Sequence, residues 1–232
     1  RAAGGLPAPA ALVADHQTAG RGRLARRWEA PPGANLLVSV LLRPPPDPVR
    51  PHLTTLAAGI ALVDAVTSLT GVDARLKWPN DVVLPGGPVP GKLAGVLAES
   101  RVVGGRVTEV VVGMGCNIGW PADPVGPDTP PGATSIAAAG GTRVARDDLL
   151  EAVLAGLVER LGALAAPTGA AALREAWLAR ADTIGRRVRV RTSTGDLVGE
   201  AVDLTDDGGL VVRGPGGAVE VSVGDVEHLR PV

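Results

Sequence analysis

The chain has 232 residues, 45% hydrophobic and 20% charged, enough to bury a core and unlike a disordered tail. A formal net charge of −1 argues against a surface that coats nucleic acid or membrane as a whole. The single Cys116 rules out an internal disulfide framework and a cysteine-based zinc cluster, and a reducing, cytoplasmic setting is the default expectation; no apolar run reaches the roughly 18 residues that cross a bilayer, the longest (residues 53–66) being interrupted by Asp64.

The sequence opens Arg-Ala-Ala-Gly-Gly, without Met and without an apolar signal segment, and reads as a fragment or a processed chain. Residues 10–14 form a short apolar strand ending at Asp15, and residues 36–42 a second, stopped by Pro44, Pro45 and Pro46. Helical spacing over residues 53–69 (Leu53, Leu56, Ile60, Val63, Val66) ends at Gly71, a natural C-cap. Residues 82–84 and 93–98 are strands around a Pro/Gly turn at 85–90. Residues 107–114 are a β-branched run that leads into a Gly-rich turn, and residues 121–135, rich in Pro, Gly and Asp, form a loop. Residues 147–166 and 170–181 are helices. After Gly185 the pattern changes to short strands at 187–191, 197–204, 210–212 and 218–223, separated by Gly-rich turns such as Thr194-Gly195-Asp196, which is the pattern of a small β-barrel.

The rare residues are placed unevenly. There is no Phe and no Tyr, so the core is built from small aliphatic side chains. Lys occurs only at 77 and 92, Asn only at 35, 80 and 117, and Gln only at 17. A chain that uses Arg almost everywhere else keeps a compact ammonium at two positions, and the two groups differ in geometry and hydration.

Four segments carry candidate chemistry. Residues 15–28 hold Arg21, Arg23, Arg26 and Arg27 within seven positions, interleaved with Gly20 and Gly22 and ending at Trp28. Glycine lets backbone N–H groups approach an anion, arginine adds permanent bidentate donors, and the indole offers a flat apolar face. The set suits a phosphate with a ring attached, although a solvated basic loop or a nucleic-acid patch has the same composition. Residues 76–81 place Lys77, Trp78, Pro79, Asn80 and Asp81 in a rigid turn. Residues 91–97 set Lys92 at the mouth of an apolar strand, where its stem can pack and its head reach a cleft. Residues 113–117 read Gly-Met-Gly-Cys-Asn, with Asn117 as a polar group in a Gly-rich turn. The strand–turn–helix context of a dinucleotide site is missing. His16, His52 and His228 are scattered and ordinary, and Cys116 has no nucleophilic role.

Together, in this order, GRGRxxRxW (20–28), KWPND (77–81), GKLAGVL (91–97) and GxGxN (113–117) resemble the biotin protein ligases, over about residues 10–230. The resemblance implies an α+β fold: a mixed or antiparallel sheet flanked by helices as the catalytic domain (1–182, truncated at its N-terminus), then a C-terminal SH3-like β-barrel (183–232). It implies activation of biotin with ATP and Mg²⁺ to biotinyl-5′-AMP, and transfer to one lysine of the biotin carboxyl carrier protein of acetyl-CoA carboxylase or a related enzyme. By position, Gln17, Arg21, Gly22, Arg23, Lys92 and Gly95 would contact biotin. Arg23, Arg26, Trp28, Lys77, Asn80, Lys92 and Asn117 would handle ATP or the adenylate, with Arg23 and Lys92 catalytic and no metal ligand assigned. Asp81 is either a carboxylate on the Mg²⁺ side or a turn cap.

The family also carries a Ser-Thr-Asn element upstream of the first matched strand, and this sequence begins after that point; it also contains no DNA-binding domain of the kind some members have. Two other readings stand beside the ligase. One is a sibling lipoate ligase or octanoyl transferase, which would need a long apolar slot in place of polar groups for a fused ureido ring. The other is a nucleic-acid module using the Arg-rich segments, including Arg186, Arg187, Arg189 and Arg191.

Overall fold

A computed structural model describes residues 7–43, 51–86, 89–123, 129–193 and 195–229. Pro44 to Pro46, the centre of the 85–90 turn (87–88), part of the 121–135 loop (124–128) and Thr194 lie outside them.

The first sheet contains β1 (Ala10–Val13), β2 (Leu36–Leu42), β3 (Arg75–Lys77), β4 (Asp81–Leu84), β5 (Gly91–Val103) and β6 (Arg106–Cys116), in the order β1-β2-β6-β5-β4-β3. Every neighbouring pair is antiparallel, which resolves the expected mixed or antiparallel sheet. Strand side chains alternate between faces. Leu36, Val38 and Val40 with Ala94, Val96, Val112 and Met114 are buried in the core. The intervening residues form three cross-strand rows on the other face: Asp81, Gly95 and Gly115; Leu97, Gly113 and Ser39; Glu99, Val111 and Leu41. That face carries the site.

Beneath the core face runs α1 (Pro51–Thr70). Thirteen of its residues are buried, including Leu56, Ile60, Leu62 and Val66. By length and hydropathy it could cross a membrane, but it is the buried core helix of this fold. Pro51 sits in its first turn, where no N–H is needed. Gly71, at φ +72, ends it in the left-handed conformation expected from the sequence.

Two further helices cover α1. The first, α2 (Arg146–Ala163), stops short of the expected residue 166 because Pro167 disfavours helix at the residue before it. The second, α3 (Gly169–Leu178), also ends early. The chain after it is drawn into a bridge with β3: Leu76 N donates to Arg180 O at 2.8 Å and Asp182 N to Leu76 O at 2.7 Å. Asp64 of α1 accepts from Arg160 of α2 and from Arg180 just beyond α3.

The C-terminal part is a second antiparallel sheet of β7 (Arg187–Thr192), β8 (Gly195–Leu204), β9 (Leu210–Gly214), β10 (Gly217–Val221) and β11 (Asp225–His228), ordered β10-β9-β8-β7-β11. Val188, Val190, Ala201, Leu204, Leu210 and Val212 form its inner face, continuous with the main core. Among the described residues no ladder joins β10 to β11, so the expected barrel is here a five-stranded sheet with two edges. Trp78 fastens it to the first sheet: the buried indole donates from Nε1 to Gly208 O at 3.0 Å, and its backbone N–H donates to Thr183 Oγ1 at 3.0 Å.

Candidate active site

The rows of the exposed sheet face form the floor of a cleft of about 710 Å³. Its walls come from residues 17–29, the Asn80–Asp81 turn, Lys92, residues 130–133 and Asp225 of the second sheet.

The floor explains two of the glycine motifs. The sequence predicts a turn at residues 113–117, but Gly113 and Gly115 lie inside β6, and the strand runs to Cys116. Their value is the missing side chain. A Cβ on Gly115 would lie 2.5 Å from Trp28 Cε2, and one on Gly95 would lie 3.2 Å from Trp28 Cζ3. The indole therefore rests on bare backbone. Its Nε1 is buried and has no hydrogen-bond partner among the described residues.

The Arg-rich strip is a tight hairpin. Gly22 N donates to Arg26 O at 2.7 Å, and Trp28 N to Gly20 O at 3.1 Å. At its tip Leu24 and Ala25 have φ of +54 and +57, a left-handed conformation that costs non-glycine residues on the order of 1 kcal/mol or more each. The strip carries no acid itself, but the fold supplies partners. Arg21 pairs with Glu99 at 2.7 Å, and Arg26 with Asp225 at 2.5 Å. Arg23 donates to Asn80 Oδ1 at 3.3 Å and to Gly224 O at 2.9 Å. Burial draws the Arg23 guanidinium below its usual pKa, opposed by Asp225 and Asp81. It stays charged at neutral pH.

Lys92 enters from the mouth of β5. Its Nζ lies 2.6 Å from Asp81 Oδ1 and 5.6 Å from the Trp28 ring centroid, so the rare ammonium and the Arg strip share one site. Asn80 braces the arrangement by donating to Val96 O at 2.7 Å while accepting from Arg23.

Gln17, Arg21, Gly22, Arg23, Arg26, Trp28, Asn80, Lys92, Gly95 and Asn117 all line the cleft. Lys77 does not: it ends β3 opposite Asp81 and acts electrostatically on His228 at the junction of the sheets. Asn117 lines the cleft but is buried and engaged at both ends of its amide. Its Oδ1 accepts from Asn35 Nδ2 at 2.9 Å and its Nδ2 donates to Thr134 O at 2.9 Å. Asn35 also accepts from the N–H groups of Ile118 and Trp120, making it the hub of this loop. Neither Asn35 nor Asp225 stood out from the sequence as a site residue. Scarcity of Asn was the available signal for the first, and nothing local marks the second. Burial pushes the Cys116 thiol up to about 12, so it supplies no thiolate.

A cationic strip, an ammonium and a bare, flat floor can hold an anion joined to a ring system, and can offset charge as two anions react. Comparisons with known proteins agree. Residues 4–117 match the Biotin/lipoate A/B protein ligase family and residues 183–229 the Biotin protein ligase C terminal domain. A biotin--[acetyl-CoA-carboxylase] ligase of Mycobacterium tuberculosis is 41% identical over 226 residues, covering 94% of this chain and 79% of the relative. One of Paracoccus denitrificans is 37% identical, covering 96% and 91%. A solved biotin protein ligase from Aquifex aeolicus, in complex with biotin and ATP, has a TM-score of 0.78 at 27% identity, covering 95% of this chain and 89% of that one.

Proposed function

The chain belongs to the biotin protein ligase family, and from that premise we propose how its cleft carries out an ATP-dependent ligation of biotin. The biotin carboxylate attacks the α-phosphorus of ATP, pyrophosphate leaves, and biotinyl-5′-AMP forms. A lysine amine of the carrier then attacks the acyl carbon, AMP leaves with the bonding pair, and the amine's proton passes to solvent.

The first step drives a carboxylate against a polyphosphate. Fixed positive charge is therefore the main requirement, and preorganised donors of this kind contribute about 10²–10³ in rate each. The observation that carries the assignment is that Lys92 and Trp28 meet over Gly95, with Trp28 also on Gly115, in the cleft that Arg23 lines. We assign Gln17, Arg21, Gly22, Arg23, Lys92 and Gly95 to biotin, and Arg23, Arg26, Trp28, Asn80 and Lys92 to the nucleotide. Lys77 and Asn117 serve that half indirectly, through the sheet junction and the Asn35 hub. A bare floor suits a fused ring better than a flexible acyl chain.

Mg²⁺ fits as the companion of the triphosphate. It keeps much of its water and takes one or two protein carboxylates, and Asp81, beside Lys92, is the residue we assign to it. When bound it neutralises charge on the phosphates. We take residues 1–182 as the catalytic domain and 183–232 as an SH3-like domain, the carrier as the biotin carboxyl carrier protein of acetyl-CoA carboxylase or a related enzyme, and the setting as cytoplasmic, where ATP is supplied.

The test is calorimetric titration with biotin, with and without a non-hydrolysable ATP analogue, alongside pyrophosphate release. Biotin binding and biotin-dependent pyrophosphate release are expected. Release that lipoate supports equally well would overturn the choice of substrate.

A further inference from the structure

Three features of the strip between residues 20 and 28 belong together. Its tip is strained at Leu24 and Ala25. Its two inner arginines are held by the second sheet, Arg26 on the Asp225 carboxylate and Arg23 on the Gly224 carbonyl. Its last residue lays a ring on the Gly95–Gly115 floor with the indole N–H unpartnered. The first and the last are costly alone: a left-handed tip, and a buried donor without an acceptor. Backbone hydrogen bonds from Gly22 N to Arg26 O and from Trp28 N to Gly20 O close the strip into one hairpin. An anion on Arg26 therefore fixes where Trp28 lies.

Resting on the ligase reading above, we propose that Asp225 is a positioning residue acting through Arg26: it holds the strip so that Trp28 occupies the ring floor, and biotin associates only as fast as this hold releases. The chain's own groups thus stand where the ligand's must go, a carboxylate on the guanidinium and an aromatic ring on the bare backbone. Arrival of a phosphate offers Arg26 a better anion and frees the indole to cover what lies beneath.

The experiment is stopped-flow tryptophan fluorescence on the full chain against rising biotin. Trp120, which also lines the cleft, keeps the signal readable when Trp28 is changed. The wild-type rate is expected to level off at high biotin. Asp225→Asn should raise that plateau about two- to fivefold, the range for a largely exposed ion pair. Asp225→Glu should return it toward the wild-type value. Asp196→Asn, which removes an acid that meets Arg189 on the same sheet, should leave it unchanged. Trp28→Ala should abolish the plateau, and it keeps the test decisive if Asp225→Asn fails to fold. A wild-type rate that rises linearly without levelling, or wild-type plateaus in both Asp225→Asn and Trp28→Ala, would overturn the proposal while leaving the ligase intact. Absence of equilibrium biotin binding by the wild type would overturn the ligase reading, and the proposal with it.

Discussion

Trp28 and Gly115 are in van der Waals contact through the glycine's bare Cα: a Cβ there would sit 2.5 Å from the indole Cε2 and 2.6 Å from Nε1. Gly113, two residues earlier on the same strand face, meets nothing closer than Leu97 O at 3.6 Å. The two glycines of one motif therefore differ in what they permit.

Gly115→Ala should put a methyl on the bare floor that the ligand ring needs, and lower biotin-dependent pyrophosphate release at least tenfold, about 1.4 kcal/mol of transition-state stabilisation. Gly113→Ala should stay within about threefold. Both positions are extended strand, where alanine is tolerated, so melting temperatures should change little. Equal activity loss in the two variants would contradict the contact as the cause.

Lys92 is held between the Asp81 carboxylate and the Trp28 ring. Lys92→Ala removes the charge that meets the reacting anions and should lower the rate of adenylate formation about 10²–10³-fold. Lys92→Arg should still lose roughly tenfold, because a planar guanidinium does not reproduce a compact ammonium. Single-turnover measurement of AMP incorporation separates this from binding. Full activity in Lys92→Arg would show that charge alone suffices.

How far the sequence shows this site depends on where its parts lie. The strip, Lys92 and the KWPND turn are each contiguous, and unusual composition exposes them. The outer half of β5 is not legible in the same way: Glu99, Ser100 and Arg101 carry no apolar alternation because that stretch leaves the core, and only the tertiary ladder with β6 makes it a strand. β11 is short and takes its structure from β7, distant in sequence, while β3 pairs with neighbouring β4 and is also bridged to Ala181, far along the chain. Asp225 joins Arg26 across 199 positions, a relation no local pattern encodes. Gly usually marks a turn, but here a strand needs its glycines for a bare surface.

Asn117 and Asn35 form a buried pair, with Asn117 also bonded to Thr134 O. Asn117→Ala leaves Asn35 Nδ2 with only Trp120 O, and strips Thr134 O of this donor. Each buried group left unsatisfied costs about 1–3 kcal/mol. Urea unfolding should therefore show a loss of about 2–3 kcal/mol, accompanied by weaker ATP use as the loop after β6 loosens. A raised KM for ATP with unchanged stability would mean that Asn117 contacts the nucleotide directly.

His228 joins β11 to the junction between the sheets, with Nε2 3.3 Å from Thr183 Oγ1 and Nδ1 3.5 Å from Asp182 Oδ2. Burial is the first cause that lowers its pKa from 6.5 to about 4; Lys77 and Arg186 add to the shift and Asp182 opposes it. The neutral ring is the one the fold accepts. Between pH 6.5 and 4 the unfolded chain binds a proton here that the folded chain does not, so stability rises with pH across that window. The contribution is complete above about pH 6.5 and is lost as the pH falls toward 4. Water reaches this half-buried ring, so the effect is discounted to about 1 kcal/mol. Carboxylates titrate over the lower part of the same range, which makes the comparison with a variant the informative one. His228→Asn should flatten the fall in melting temperature between pH 7 and 4 relative to wild type. Parallel pH profiles for the two proteins would mean that the junction tolerates the charged ring.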